Sequence, residues 1–277
     1  MKGTKDINTM HNVKDVNNDN LKEKIDKNAT QESPKVILDK MSLALLNIQS
    51  GRYSELEMEA KFGTRGIKVL TKMDYDNVVK KLRSKGWSAN SPSGDYLLRI
   101  QPEFLDIKTG QYKVSSDFDR FRIEINGLNN IQEYCKTNSI KLVNDKNVNA
   151  VKINKKTPVK VATHSEDNMP TANFDDFNFR VKLSNEESVS KTGKVGTDVF
   201  ENWNKTKKVF RYMNRVTFTH KNHPFNIDLS IVKSSNKTDR GWMIQTYNIE
   251  DSNVFNNPET YELEVEVNTK LAKEQFR

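Results

Sequence analysis

The sequence predicts a mainly β protein with flanking helices, its strands closed into a barrel around a charged interior. Three observations lead there. At least five segments alternate apolar with polar or charged side chains, the two-residue period of a strand whose faces differ. The charged faces are sorted by sign. Glu262, Glu264 and Glu266 carry only carboxylates, whereas Arg120/Arg122, Arg180/Lys182 and Arg211/Arg215 are mostly cationic. Finally, two glutamate-rich strands bracket the region, around Glu57 and around Glu264. Alternation alone fits an open sheet with its charges in water as well as a closed barrel. A solvated surface tends to mix signs within a strand, so the sorting favours a lumen.

The chain has 277 residues, which allows one or two domains. Hydrophobic residues make up 35% and charged residues 30%, with a net charge of +8. A basic chain that still concentrates glutamates suits an anionic, cation-bound substrate, while the scattered lysines serve solubility. The one cysteine, Cys135, excludes an intrachain disulfide and any zinc site built on several thiolates. The histidines His11, His164, His220 and His223 have no metal-ligand spacing; the last two read as surface residues ahead of a turn at Pro224. No apolar run approaches ~18 residues, so no membrane span is expected. Without a signal-peptide core, the expected location is a reducing compartment inside the cell. Neither a phosphate-binding Gly-x4-Gly-Lys-[Ser/Thr] loop nor a Gly-x-Ser-x-Gly elbow is present. Lys237-Thr238-Asp239-Arg240-Gly241 superficially matches the Lys-x-Asp-Gly of nucleotidyltransferases, but Arg240 breaks the spacing and the segment reads as a turn.

Residues 1–33, rich in Asn, Asp and Lys, are expected to be a disordered polar tail, and 34–277 the folded domain. Pro34 opens a helix with Ile37, Leu38, Met41, Leu45 and Ile48 on one stripe, ending before Gly51. The first glutamate strand follows, with Glu57, Glu59 and Lys61 on one face and Leu56, Met58, Ala60 and Phe62 on the other. Residues 71–85 read as a second helix closed by Gly86. Tyr96 to Ile107 is extended, Lys108-Thr109-Gly110 turns, and Gln111 to Ser115 returns. Phe118 to Ile125 alternates, with Arg120, Arg122 and Glu124 opposite Phe121, Ile123 and Ile125. A short helix is expected at 128–137, a long loop at 144–172 and a polar connection at 186–205. Between these lies a strand with Arg180, Lys182 and Ser184 on its polar face. Val209 to Thr219 sets Arg211, Arg215 and Thr217 against Phe210, Tyr212, Val216 and Phe218. Phe225 to Val232 sets Asp228 and Ser230 against Ile227, Leu229 and Ile231. An extended run from Trp242 to Ile249 leads into the last strand, with Glu262, Glu264 and Glu266 opposite Leu263, Val265 and Val267.

A single Glu-x-Glu-x-Glu strand is ordinarily the solvated face of an antiparallel sheet. Two of them side by side would crowd four to six carboxylates on one surface, about 6.5–7 Å apart along each strand. Such a cluster repels itself unless a cation intervenes, and hard divalent ions such as Mg²⁺ or Mn²⁺ prefer oxygen ligands. With the basic strands around the same channel, a polyphosphate could lie against Arg and Lys donors while the metal bridges its terminal oxygen. The chemistry this predicts is metal-dependent hydrolysis of a terminal phosphate.

These residues resemble the triphosphate tunnel metalloenzymes, whose first-strand signature Glu-x-Glu-x-Lys stands here as Glu57-Met58-Glu59-Ala60-Lys61. The Glu262-Leu263-Glu264-Val265-Glu266 strand narrows the resemblance to the RNA 5′-triphosphatase branch. The stretch Ser116 to Asn138, with Arg120-Phe121-Arg122-Ile123-Glu124 and Ile131-Gln132-Glu133-Tyr134-Cys135, looks most like mRNA-capping enzymes of large DNA viruses. The resemblance spans roughly residues 52–268. It implies an eight-stranded antiparallel tunnel that removes the γ-phosphate of nascent mRNA with Mg²⁺ or Mn²⁺. Glu57, Glu59 and Glu266 would ligate the metal, and Glu264 would be a ligand or orient the water. Lys61, Arg120, Arg122, Arg180, Lys182 and Arg215 would bind phosphates, with Arg120, Arg122 and Arg215 taking part in catalysis beside Glu59 and Glu264. Asp228 would orient a basic neighbour. The substrate would be 5′-triphosphate RNA. A guanylyltransferase domain or subunit would act next, so the chain would be either freestanding or the N-terminal part of a longer enzyme. A viral source would place it in host cytoplasm or virion. Two other readings stay open: a small triphosphate or inorganic polyphosphate hydrolase of the same fold, and a non-catalytic basic RNA-binding module.

Overall fold

Alternating strands with one apolar face each must cover that face, and here helices cover it together with loop residues such as Ile249 and Val254. The computed structural model describes residues 33–46, 56–63, 68–106, 111–114, 120–159, 170–269 and 271–272. The expected tail at 1–33, the turn at 108–110 and the stretch 160–169 fall almost wholly outside the described residues. In chain order the strands are β1 (Leu56–Phe62), β2 (Ser88–Ala89), β3 (Asp95–Asp106), β4 (Gln111–Val114), β5 (Arg120–Asn126), β6 (Val151–Pro158), β7 (Thr171–Phe174), β8 (Phe179–Ser188), β9 (Lys208–His220), β10 (His223–Ser234) and β11 (Thr260–Val267). Eight of them form a ring in the order β9, β10, β11, β1, β8, β6, β5, β3, and β3 pairs back onto β9 to close it. Every pairing in the ring is antiparallel. The short strands β2, β4 and β7 attach to β9, β3 and β8. The closed antiparallel eight-stranded barrel expected from the sequence is therefore present.

The helices are α1 (Pro34–Leu46), α2 (Lys72–Ser84), α3 (Leu128–Thr137), α4 (Ile140–Lys146) and α5 (Lys194–Glu201). They lie on the outer, apolar faces. Ile37 and Met41 of α1 pack on Leu56, Val181 and Leu183. Tyr75, Val78, Val79 and Leu82 of α2 cover Val216, Phe218 and Leu229. The largest cluster joins Ile131 and Tyr134 of α3 and Ile140 and Val143 of α4 to Leu98, Ile100, Ile123, Ile125, Ile153 and Phe210. Burying a Leu or Ile side chain stabilises by about 1.5–3 kcal/mol, so these contacts fix which face of each strand points inward. α2 starts at a reciprocal cap, in which the Thr71 hydroxyl accepts from the Asp74 N–H and the Asp74 carboxylate accepts from the Thr71 N–H. It ends ahead of Gly86, whose φ of +83° suits a residue without a side chain. No described helix is long and apolar enough to cross a membrane.

The structure corrects four expectations. The long loop expected at 144–172 contains the end of α4, barrel strand β6 and the start of β7. β6 hid because only Val151 and Ile153 alternate; beyond them Asn154, Lys155, Lys156 and Thr157 leave both faces polar. The polar connection at 186–205 holds the end of β8, then α5, anchored by Val199 and by Trp203 just after it. The run from Trp242 to Ile249 is not a strand. It belongs to a tight hairpin in which Lys237 bridges Met243, with a turn through Gly241 at φ +80°, followed by a bridge from Thr246 to Lys208. The turn expected at Pro224 lies between His220 and His223, which pair directly, and Pro224 is buried within β10.

Candidate active site

The two glutamate strands are neighbours. In the β1–β11 pairing Glu59 faces Glu266 and Lys61 faces Glu264. On the other side of β1, Glu57, Glu59 and Lys61 face Ser184, Lys182 and Arg180 of β8. On the other side of β11, Glu264 and Glu266 face Asp228 and Asn226 of β10. Residues directly opposite in an antiparallel pair lie about 5 Å apart at Cα, so the register alone assembles the cluster. Glu57, Glu59, Lys61, Arg122, Arg180, Lys182, Arg215, Asp228, Glu264 and Glu266 all line one cavity of about 290 Å³ inside the barrel. Arg120 sits on β5 opposite Lys156; its side chain lies outside the described residues.

The lumen is a lattice of alternating charge. Lys61 pairs with Glu262 at 3.0 Å and Glu264 at 2.7 Å. Arg215 reaches Asp228 at 3.0 Å and Glu264 at 3.2 Å. The Thr217 hydroxyl donates to the other Asp228 oxygen at 2.6 Å. Arg122 pairs with Glu124 at 3.3 Å and Glu186 at 2.5 Å. Arg99 pairs with Glu124 at 2.8 Å, and Arg211 with Glu262 at 2.7 Å. Lys156 lies 2.5 Å from Glu57, 3.4 Å from Glu186 and 3.8 Å from Glu59. The Nε of Arg180 is buried with no hydrogen-bond partner among the described residues.

This lattice divides the carboxylates into two kinds. Burial opposes ionisation at Glu264, but the Lys61 ammonium and Arg215 guanidinium outweigh it and hold the group well below the usual carboxylate range. Glu262 is lowered in the same way by Arg211 and Lys61. Glu57 and Glu266 go the other way. Burial pushes Glu57 up to about 7, against Lys156 and with help from Glu59 and Glu186. Burial and then the Asp228 carboxylate push Glu266 up to about 7, with Glu59 adding to it. No ion pair neutralises Glu266 among the described residues. Burial and the Arg122 guanidinium lower Arg99 to about 10, so it remains a cation at neutral pH.

Glu57, Glu59 and Glu266 thus offer hard oxygen donors with surplus negative charge, which fits a hard divalent cation. Among the described residues no three acidic groups stand close enough together to grip one ion as placed. Lys156, between Glu57 and Glu59, is the cation that currently meets them. Sequence reasoning missed Lys156 because β6 shows no alternation. It also assigned no site role to Arg99, Glu124, Glu186, Arg211 or Glu262. Inward parity on their strands was the available signal for Glu124, Arg211 and Glu262. For Arg99 only the closure of β3 onto β9, opposite Arg211, provides it.

No protein-family profile and no curated protein matches the chain. Solved structures do. One is the RNA triphosphatase domain of a trifunctional mimivirus mRNA capping enzyme, 17% identical, with 86% of this chain and 92% of that one covered and a TM-score of 0.50. A triclinic structure of the mimivirus capping enzyme triphosphatase is also 17% identical, covering 81% and 85%, with a TM-score of 0.48. The S. pombe Pct1 RNA triphosphatase is 13% identical, covering 89% and 86%, with a TM-score of 0.43. The chain shares the tunnel fold of the first of these.

Proposed function

We propose that this protein is a metal-dependent RNA 5′-triphosphatase. It would convert RNA 5′-triphosphate and water to RNA 5′-diphosphate and phosphate, the first step of cap formation. The observation that carries the reading is the bore itself: one closed barrel sets the carboxylates of β1 and β11 against ammonium and guanidinium groups of β3, β5, β8 and β9 around a single cavity. The likeness of fold to the mimivirus RNA triphosphatase domain supports it.

Glu57, Glu59 and Glu266 would hold Mg²⁺ or Mn²⁺. When bound, the ion neutralises charge on a terminal phosphate oxygen as the P–O bond breaks. Glu264 has a different task. Kept deprotonated by Lys61 and Arg215, it is a fixed acceptor that orients the O–H of the attacking water, and its low proton affinity makes it a weak base. Asp228 and Thr217 fix the Arg215 guanidinium, so that its remaining donors need no reorganisation to meet phosphate. Arg180, with its open Nε, and Arg122 present planar forks matched to phosphate oxygens. Lys182 and Lys61 add point charges from the same wall. The diphosphate end produced is the acceptor that a guanylyltransferase domain or subunit would use.

The test is γ-phosphate release from triphosphate-ended RNA with each metal, with chelator, and beside tripolyphosphate as a competing substrate. Release with metal and none with chelator is expected. Equal release in chelator would sink the metal dependence. A strong preference for tripolyphosphate would favour a small-substrate hydrolase.

A further inference from the structure

The cavity changes character in a single step along the barrel. Arg99 and Arg211 are partners across β3 and β9, and the next pair with the same orientation is Gln101 and Val209. Both pairs line the cavity. One more neutral side chain joins the second pair on the wall: Met243, from the hairpin that follows β10. The hairpin is held to this end of the barrel by the Thr246–Lys208 bridge, with mutual N–H to C=O hydrogen bonds of 2.7 and 2.9 Å. So on the β3–β9 wall the charged lining gives way to a short neutral collar of Gln101, Val209 and Met243, and the rise per residue puts one pair about 7 Å beyond the other.

A triphosphate has no use for a neutral collar, whereas what is covalently attached to it does. We infer that this collar receives the first nucleoside of the RNA whose triphosphate lies among the cationic groups. The inference rests on the triphosphatase reading above. Met243 is suited to lie against the face of a base, because its thioether is polarisable and its unbranched side chain adapts to purine and pyrimidine alike. The Gln101 amide, with donors and acceptors at its tip, can meet a ribose hydroxyl or base edge. A flexible thioether and a single amide read no base strictly, so binding should tolerate any first nucleotide. The collar would thereby distinguish an RNA end from a bare polyphosphate.

The experiment compares kcat/KM for triphosphate-ended RNA, a nucleoside triphosphate and tripolyphosphate in the full chain and in Met243→Ala and Gln101→Ala. The ratio of RNA to tripolyphosphate should fall about tenfold in Met243→Ala, the scale of one lost apolar contact, and the fall should lie in KM. Met243→Leu, which conserves volume, should restore it. The nucleoside triphosphate should follow the RNA. Gln101→Ala keeps the test open should Met243→Ala fold poorly. An unchanged ratio in both alanine variants, whether through no effect or through equal loss on all three substrates, overturns the subsite and leaves the triphosphatase reading standing. If the unaltered protein cleaves none of the three substrates, the triphosphatase reading falls and the subsite with it.

Discussion

Glu264 and Glu266 sit two residues apart on β11, on the same inward face, and they are electrostatic opposites. Glu264 is clamped by Lys61 and Arg215 and stays ionised far into acid. Glu266 faces Glu59 across the pairing, lies near Asp228, and has a proton affinity raised to about 7. The middle and the last glutamate of one three-glutamate motif therefore belong to different regions of the tunnel. One region is a neutralised lattice that is complete as it stands. The other carries surplus charge that a cation would relieve. The lesson is that the motif supplies a face, and the strands beside it decide what each carboxylate on that face can do.

Substitution is the sharpest way to break the contrast. Glu59→Ala and Glu266→Ala should lower RNA triphosphatase turnover by at least about 100-fold, since losing one preorganised electrostatic contact already costs that much. Metal-free Glu266→Gln should unfold at the same temperature as the unaltered protein or a higher one, because a repelling charge is gone. Glu264→Gln should do the reverse to stability and cost of order 2–3 kcal/mol, because Lys61 and Arg215 lose a shared partner. Thermal unfolding of the two Gln variants without metal checks both signs. Equal shifts in one direction would erase the distinction between the two regions.

Arginine geometry comes next. Arg180→Lys should lower turnover roughly tenfold, the order of one charge-assisted hydrogen bond, because an ammonium cannot reproduce the planar fork. Measuring kcat and KM separately locates the loss. A change in KM alone would mean that Arg180 binds ground state and transition state equally.

The pH dependence sharpens the same comparison. Glu57 and Glu266 have folded-state proton affinities above those of an unfolded chain. Their contribution to stability is full below the unfolded carboxylate value of about 4.3 and is lost as pH rises through about 7. Metal-free protein should accordingly gain stability from this pair as pH falls from 7.5 to 5, and Glu57→Gln/Glu266→Gln should flatten that slope. Glu264, lowered instead, contributes nothing to the slope in this window. Mn²⁺ must displace protons from the raised pair, so its stabilising effect should be larger at pH 8 than at pH 6. A metal effect independent of pH would count against these ligands. The smallest expected effect is at the N-terminus: deleting residues 1–33 should leave RNA triphosphatase turnover unchanged, as their composition offers little to a core.

Much of this molecule is legible in its sequence. Alternation is a local property, so β1, β5, β8, β9, β10 and β11 declared both their existence and the side chains on their inner faces, and ten of the eleven residues singled out line the cavity. That the two glutamate strands would sit side by side around a shared cation was an expectation from the sequence, and the β1–β11 register bears out the adjacency. Three things were decided by tertiary structure alone. β6 is polar on both faces over half its length, so its Lys156 entered the site through pairing with β5 and β8 rather than through any pattern. Arg99 faces the lumen because β3 closes the ring against β9, a contact between segments more than a hundred residues apart. And the split between Glu264 and Glu266 depends on which cations arrive from β1 and β9. Sequence periodicity fixes the direction of a side chain relative to its own strand. The proton affinity of a buried carboxylate depends on charges a few ångströms away, and closure of the barrel chooses those neighbours.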